Sequence, residues 1–367
     1  MYIHVPWCAR RCGYCDFNTY VADTSDPAVT TPYVDALVAE VRLAARTLGR
    51  GRVQTVYVGG GTPTLMPTRD FARLLGAVRV AFDVDADAEI TTEANPETLT
   101  PDVLGELRGL GVNRLSLGMQ SGVRHVLATL ERVHTPGRVA DAVGWARAAG
   151  FANVSLDLIY GTPGESVDDW AATLDIALAM APDHVSAYSL IVEPGTPLAR
   201  RMAAGGLPYP DEDDLAAKYT MADERFGAAG LSWYEVSNWS RPGFACRHNL
   251  AYWLGTPWWG IGAGAHSYAP YTRWWNHRRP DTYIRGVRDG SPVAGREELT
   301  PAQRHTERVM LATRLETGID SAELSPDERK RAEAYVATGH LEARGTRLVC
   351  TLPGRLIADR IVRDVLD

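Results

Sequence analysis

Three cysteines near the start of the chain, Cys8, Cys12 and Cys15, have a CxxxCxxC spacing directly after a short β-like run. Three thiolates this close together can hold one iron–sulfur cubane, which leaves the fourth iron without a protein ligand. A small molecule can coordinate that open iron. Zinc binding is the alternative, although zinc sites usually take two ligand pairs. The other cysteines, Cys246 and Cys350, lie far along the chain.

Glycines and polar residues follow the next predicted strands. Residues 59–64 read GGGTPT, Glu93 closes the third strand, Gln120 closes the fourth, Asp157 lies in the fifth, and Arg132 follows Gln120 in sequence. Sites in (β/α) barrels form at the carboxyl ends of the strands, so we expect these residues to lie together. Carboxylates can bind ribose hydroxyls or an ammonium group, and a guanidinium can bind a carboxylate.

The elements that would position these residues alternate along about the first 235 residues. β-like runs at 2–5, 53–58, 89–93, 114–119, 154–159 and 184–191 alternate with helical patterns at 33–48, 69–82, 101–109, 137–149, 168–180 and 211–229. Such alternation predicts an α/β fold with a parallel sheet. Six units suggest a complete or partial (β/α) barrel.

The rest of the chain has two different patterns. Residues 231–283 are rich in Trp, Tyr and Gly and predict turns and loops along the barrel mouth. From residue 299 the pattern is helical, with a β-hairpin around Gly345, which suggests a small winged-helix-like domain used for packing or for a partner. We therefore predict a core barrel at 1–235, an aromatic and glycine-rich bridging segment at 236–285 and a C-terminal domain at 286–367.

The cysteine loop resembles that of the radical S-adenosylmethionine (SAM) superfamily. The segments YIHVPWC, GGGTPT, EANPET, GMQS and DLIYGTPGE, over nearly the whole chain, are similar to those of oxygen-independent coproporphyrinogen III oxidases and their relatives. The resemblance implies a radical-SAM partial (β/α) barrel, a [4Fe–4S] cluster held by Cys8, Cys12 and Cys15, and bound SAM. The SAM contacts that it implies are Tyr2, Tyr14, Gly60, Gly61, Thr62, Glu93, Gln120, Arg132, Asp157 and Ile191.

Two departures argue against the oxidases themselves. Phe17 stands where those enzymes have a fourth cysteine, and the first predicted strand begins at residue 2, without their N-terminal extension. The HNxxYW motif at residues 248–253 resembles the signature of the haem chaperone subfamily. This implies haem binding by His248, Asn249, Tyr252 and Trp253. Cys246 and His266 are alternative iron ligands nearby.

The resemblance implies a protein that binds haem and transfers it to an acceptor protein, such as a membrane respiratory enzyme. It implies no coproporphyrinogen oxidase activity. Two enzymatic alternatives stay open, namely oxidative decarboxylation of coproporphyrinogen III and a radical-SAM methyltransferase that opens haem.

Composition limits the other classes of function. The chain has 367 residues and a formal net charge of −7, which argues against a nucleic-acid partner. We find neither a long apolar span nor a signal peptide, so we expect a cytoplasmic protein. Transient membrane association and a homodimer stay compatible with the sequence.

Overall fold

The computed structural model describes residues 1–132 and 135–367. The strands are β1 (Tyr2–Val5), β2 (Trp7–Cys8), β3 (Tyr20–Val21), β4 (Arg52–Gly60), β5 (Asp83–Ala94), β6 (Arg114–Gln120), β7 (Asn153–Tyr160), β8 (His184–Ser189), β9 (Ser232–Glu235), β10 (Asn238–Ser240), β11 (Gly260–Ile261), β12 (His266–Ala269), β13 (Thr272–Asn276), β14 (Val293–Glu298), β15 (Ile319–Asp320), β16 (Leu341–Arg344) and β17 (Arg347–Cys350). The helices are α1 (Pro27–Leu48), α2 (Thr68–Ala81), α3 (Pro101–Gly109), α4 (Arg124–Thr129), α5 (Pro136–Ala148), α6 (Val167–Ala179), α7 (Pro197–Ala203), α8 (Glu212–Ala228), α9 (Arg247–Trp253), α10 (Pro280–Arg288), α11 (Pro301–Ala312), α12 (Pro326–Ala337), α13 (Leu352–Leu356) and α14 (Ala358–Leu366).

A nine-stranded sheet with the order β11-β1-β4-β5-β6-β7-β8-β10-β9 organises most of the chain. The seven strands from β11 to β8 are parallel, and β10 and β9 are antiparallel additions at one edge. The terminal strands β11 and β9 do not pair with each other among the described residues, so the sheet is an open barrel. The predicted α/β partial barrel is confirmed, and each of the six predicted strands is present.

Local sequence signals explain where the crossover helices begin. Asp26 caps α1 by accepting the N–H of Ala28, and Ser166 forms a reciprocal capping box with Asp169 at α6. Helix α1 begins before the predicted residue 33, because Pro32 is accommodated within the helix and does not start it. Apolar residues of the helices and strands bury one another in a single large core that extends as far as Tyr283.

The expectation that residues 231–283 form loops along the barrel mouth is wrong. This segment forms β9 to β13 and α9, and α9 lies against the amino-terminal part of β4 and the middle of β5. Aromatic residues of this segment pack against one another, as in the edge-to-face pair of Trp259 and Trp274, whose ring centroids are 4.9 Å apart. Strands β10 and β11 of the large sheet therefore lie beyond residue 235, the predicted end of the barrel.

The C-terminal residues form a separate small core around Val309, Leu348 and Ile361. Strands β16 and β17 make the predicted hairpin, with Gly345 at φ +63° in its turn. With β15 they form a three-stranded antiparallel sheet beside α11, α12 and α14. The winged-helix description stays a prediction. Within the described residues, no helix is both long and apolar enough to cross a membrane.

Candidate functional site

A cavity of about 680 Å³ runs through the inside of the open barrel. At its upper end it is lined by the cysteine loop and by the last residues of β4, β5 and β6. At its lower end it reaches Arg114 and His184, the first residues of β6 and β8, and the side chains of α9. The cavity therefore spans the length of the strands, and its volume is in the range of about 300–1,000 Å³ typical of small-molecule sites.

The three thiols of the CxxxCxxC loop line the upper end of this cavity. Cys8, Cys12 and Cys15 are free of disulfides and half-buried, and burial raises the pKa of the Cys8 and Cys15 thiols. Arg132 Nη1 lies 3.7 Å from Cys12 Sγ, and Thr62 Oγ1 lies 3.9 Å from Cys8 Sγ. A positive charge and a hydroxyl donor beside the sulfurs favour the thiolate form that metals bind.

The described residues contain no group of three His, Cys, Asp or Glu side chains gathered closely enough for a single metal ion. A cubane does not require such convergence, because each of its irons takes one thiolate at a different corner. Three free thiols at one cavity wall, with a cation beside them, are a donor set that fits a [4Fe–4S] cluster.

The glycine run beside the loop is required by close packing. Gly60 has φ +116°, and a Cβ on it would lie 2.4 Å from the His4 ring. A Cβ on Gly61 would lie 2.4 Å from the carbonyl oxygen of Trp7. The run lets β4 pass directly under the start of the cysteine loop, which leaves backbone exposed to the cavity.

Two half-buried carboxyl groups face the cavity, one on β5 and one on β7. Glu93 accepts hydrogen bonds from the Gly60 N–H at 2.9 Å and the Tyr57 hydroxyl at 2.8 Å, and burial raises its pKa to about 7. Asp157 accepts the Ser116 hydroxyl at 3.0 Å, and burial raises its pKa as well. A cationic or hydroxyl-bearing ligand would therefore stabilise the ionised form of each acid, because its donors would replace the lost water.

Gln120 and Arg132 complete the upper wall. Gln120 adopts φ +65°, a strained conformation for a residue with a side chain, at an irregularity where β6 pairs with β7. Its amide donates to the Tyr14 hydroxyl at 3.1 Å. Arg132 donates to the Gly118 carbonyl at 2.9 Å, which holds its guanidinium over the end of β6.

Nearly all residues expected to contact SAM line this one cavity. Tyr2 also lines it, and its hydroxyl lies 2.9 Å from His4 Nδ1. Ile191 is the exception, because β8 ends at Ser189 and the Ile191 side chain is 67% exposed outside the cavity. Ile159 of β7 supplies an apolar wall there. The predicted residues that line the cavity are Tyr2, Cys8, Cys12, Tyr14, Cys15, Gly60, Gly61, Thr62, Glu93, Gln120, Arg132, Asp157, Cys246, His248, Asn249 and Tyr252.

Several cavity residues were missed by the sequence reasoning, most of them in the middle of strands. Side chains of a strand alternate between its two faces, and Arg114, Ser116 and Gly118 of β6 alternate toward the cavity. That polar alternation inside an otherwise apolar strand was the available signal. The other missed residues with polar side chains that line the cavity include Tyr57, His184, Ser186, Tyr188, Tyr234 and Asn238.

The HNxxYW motif lies at the lower end of the cavity, on α9. Glu89 of β5 anchors the start of α9 by accepting the N–H groups of Arg247 and His248, each at 3.0 Å. Asn249 donates to Glu235 at 2.8 Å. The motif therefore closes the bottom of the open barrel, whereas Trp253 is half-buried and lies outside the cavity.

Both ring nitrogens of His248 are engaged. Nδ1 lies 2.8 Å from the Thr55 hydroxyl and Nε2 lies 2.9 Å from the Tyr252 hydroxyl, and the residue is only 3% exposed. Its ring also stacks on Tyr57 at 5.1 Å. Haem ligation by His248 stays a prediction, and it requires one of these hydrogen bonds to break. Cys246 is equally buried, and burial raises its pKa to about 12.

Residues 2–177 match the Radical SAM superfamily. The chain is 52% identical, over its whole length and 94% of the relative, to a protein of Mycobacterium tuberculosis named Heme chaperone HemW. The chain belongs to the HemW family. A HemW of Bacillus subtilis is 35% identical over 87% of the chain and 84% of the relative.

The HemW family assignment agrees with the fold. The solved structure of coproporphyrinogen III oxidase (HemN) from Escherichia coli superposes with a TM-score of 0.86, covering 99% of this chain and 89% of that one. At 24% identity this likeness shows the shared fold. This HemW-family chain therefore has a radical SAM barrel and shares the HemN fold over almost its whole length.

Proposed function

We propose that this protein is a haem chaperone, which binds haem and transfers it to an acceptor protein, and that it carries a [4Fe–4S] cluster and exchangeable SAM. The observation that carries the proposal is the 52% identity over the full chain to a protein named Heme chaperone HemW. An acceptor in or near a membrane and a cytoplasmic location form part of the same proposal.

Cys8, Cys12 and Cys15 would hold the cluster at the upper end of the cavity. When bound, the cluster supplies single electrons and one open iron position, and SAM is the ligand for that position. The protein residues contribute binding and orientation. Arg132 keeps positive charge beside Cys12. Gly60, Gly61 and Thr62 line the cavity, and the two glycines give a ligand close access to the end of β4.

The carboxyl groups of Glu93 and Asp157 would recognise polar groups of SAM. An ammonium group beside Glu93 would favour its ionised form and offset the burial that now raises its pKa to about 7. Asp157 and Gln120 line the same cavity. The Asp157 carboxylate could accept hydrogen bonds from ribose hydroxyls, and the Gln120 amide could donate to them or accept from them. Arg132 can also pair with a ligand carboxylate through guanidinium N–H groups that are not bound to Gly118.

Cluster and SAM binding can be tested together. After anaerobic reconstitution we expect about four irons per chain, with Cys8→Ala, Cys12→Ala or Cys15→Ala losing the iron. Cys350→Ala is the matched control, because Cys350 is buried in β17 within the C-terminal core. SAM should shift the EPR signal of the reduced cluster. An EPR spectrum that SAM leaves unchanged would contradict SAM binding at the cluster. Full iron content in a variant with all three cysteines replaced by Ala would contradict the cluster assignment.

Haem transfer is the direct test of the chaperone proposal. The haem-loaded protein is mixed with an apo haem protein, and the Soret band is followed as haem moves to the acceptor. As the reference, the same acceptor is mixed with haem bound to bovine serum albumin. We expect haem to reach the acceptor faster from this protein than from albumin. Failure to bind haem at all would reject the proposal.

A further inference from the structure

We infer that haem is bound in a groove outside the barrel, with His266 as an iron ligand; this rests on the proposed function and locates its haem site. The groove has a volume of about 520 Å³ and is open to solvent. It lies between the antiparallel sheet β12-β13-β14 and helix α11. Its walls include Trp258, His266, Trp275 and Met310.

The first argument is the state of the His266 imidazole. Its side chain is exposed, and neither ring nitrogen has a hydrogen-bond partner within the described part of the chain. Desolvation, with smaller contributions from Arg278 and Arg273, lowers its pKa and favours the neutral ring that binds metals. His248, in contrast, is buried with both ring nitrogens already hydrogen-bonded.

The second argument is the shape and chemistry of the walls. The His266 ring lies nearly parallel to Trp275, at 26° and 5.8 Å, and Trp258 packs against Tyr268 at 5.2 Å. An imidazole that ligates haem iron stands upright on the porphyrin plane, so Trp275 would support the His266 ring and Trp258 would add apolar aromatic surface beside the porphyrin. Met310, which is 37% exposed, adds a thioether, the other side chain that cytochromes use to ligate haem iron.

The third argument is the charge of the groove. Arg273 is already paired with Glu307 and, at 3.6 Å, with Glu297. Two carboxylates against one guanidinium disfavour a small anion, and they also repel haem propionates. The apolar edge of a porphyrin would enter the groove, and its propionates would stay in water at the open side.

An open groove also suits a cargo that must leave. A haem inside the barrel would share the cavity with SAM and the cluster. Tyr252 lines both the cavity and the groove, and its hydroxyl contacts His248 while its ring packs edge-on against Trp258 at 4.7 Å. The two sites are therefore neighbours separated by one side chain.

The test uses the reconstituted full chain, ferric haem as the probe and the Soret band as the readout. His266→Ala should weaken haem binding at least tenfold and shift the Soret band. His125→Ala is the matched control, because His125 is a surface histidine outside both the cavity and the groove, and it should leave the Soret position unchanged. An unshifted Soret band in His266→Ala together with a shifted band in His248→Gln would assign the iron to His248 and overturn the inference.

A ligand exchange keeps the test decisive even if a variant folds poorly. His266→Cys should still bind haem, with the Soret band moved to the position of thiolate ligation. An unchanged spectrum in both His266 variants, with wild-type haem binding intact, overturns this inference and leaves the proposed function standing. Absence of haem binding by the wild-type chain overturns the proposed function itself.

Discussion

Glu40 is a single buried carboxyl group that joins three distant parts of the chain. It lies in α1 and accepts hydrogen bonds from the Gly262 N–H at 2.8 Å, the Asn276 amide at 2.7 Å and the Tyr283 hydroxyl at 2.6 Å. It thereby ties the first crossover helix to the strands that follow α9 and to α10. Burial outweighs these donors and raises its pKa from 4.5 to about 7.

This pKa predicts a specific pH dependence of stability. Between pH 4.5 and about 7 the folded chain keeps a proton on Glu40 that the unfolded chain has released. The stabilisation from this group is therefore full below pH 4.5 and is lost as the pH rises through that window. We expect the loss to be on the order of 1–3 kcal/mol.

The free energy of unfolding of the apo chain is measured by urea unfolding between pH 4.5 and 7 and above pH 7, with Glu40→Gln as the comparison. The variant should be less stable at the acidic end and should show a flatter dependence on pH. Equal slopes in the two proteins would mean that Glu40 does not hold the proton.

At the scale of elements, the β4 turn shows how local conformation shapes the site. Gly60→Ala should lower the free energy of unfolding by about 1–3 kcal/mol, because Ala at φ +116° is strained and its Cβ would contact the His4 ring. SAM binding should fall with it. Gly76→Ala is the matched control, since Gly76 lies within α2 with open space around it, and it should be neutral or stabilising by up to ~1 kcal/mol.

Thermal unfolding and equilibrium dialysis with SAM measure the two effects separately. A Gly60→Ala protein that binds SAM like the wild type would show that the turn has no part in the site.

The same elements show what the sequence could predict. Period-two apolar runs and helical stripes located the six parallel strands and their helices, because each element buries one face against the others. The carboxyl ends of parallel strands meet at one edge, so Glu93, Gln120 and Asp157 could be placed at one site. Both predictions use only local pattern and a general rule of barrel topology.

The lower end of the site could not be predicted in this way. The contact of His248 with Thr55 joins residues 193 positions apart, and no local pattern specifies it. The aromatic segment was misinterpreted for the same reason, since Trp and Tyr that pack between short strands look like loop residues in sequence. Arg114 was missed because a buried arginine at the start of an apolar strand is unusual.

At the scale of the whole molecule, the C-terminal part is docked on the barrel through Arg355. Its guanidinium makes two hydrogen bonds to Asp223 of α8, at 2.8 and 2.7 Å, and lies 4.5 Å from the Trp233 ring. The two side chains of the pair are only 11% and 21% exposed. This contact fixes the C-terminal core relative to the large sheet.

Arg355→Ala should destabilise the docked state by about 2–3 kcal/mol, because it leaves the partly buried Asp223 carboxylate without its cationic partner and with only the Trp239 indole N–H as a donor. Arg344→Ala is the control, since its ion pair with Glu342 is exposed on both sides and should contribute little. Limited proteolysis and urea unfolding report the difference. Equal unfolding free energies and equal proteolysis rates for Arg355→Ala and Arg344→Ala would show that docking of the C-terminal part depends on other contacts.

The central claim, that this radical SAM barrel carries haem and does not convert a tetrapyrrole, is tested most directly by product analysis. The anaerobically reconstituted protein is incubated with SAM and a reductant, once with haem and once with coproporphyrinogen III, and the tetrapyrroles are identified by mass. Phe17, the residue at which the sequence resemblance leads us to expect a cysteine in an oxidase, is 61% exposed at the cavity wall. We predict intact, protein-bound haem in the first sample and no protoporphyrinogen IX above the no-protein control in the second. Opened haem, unbound haem or protoporphyrinogen IX would contradict the account.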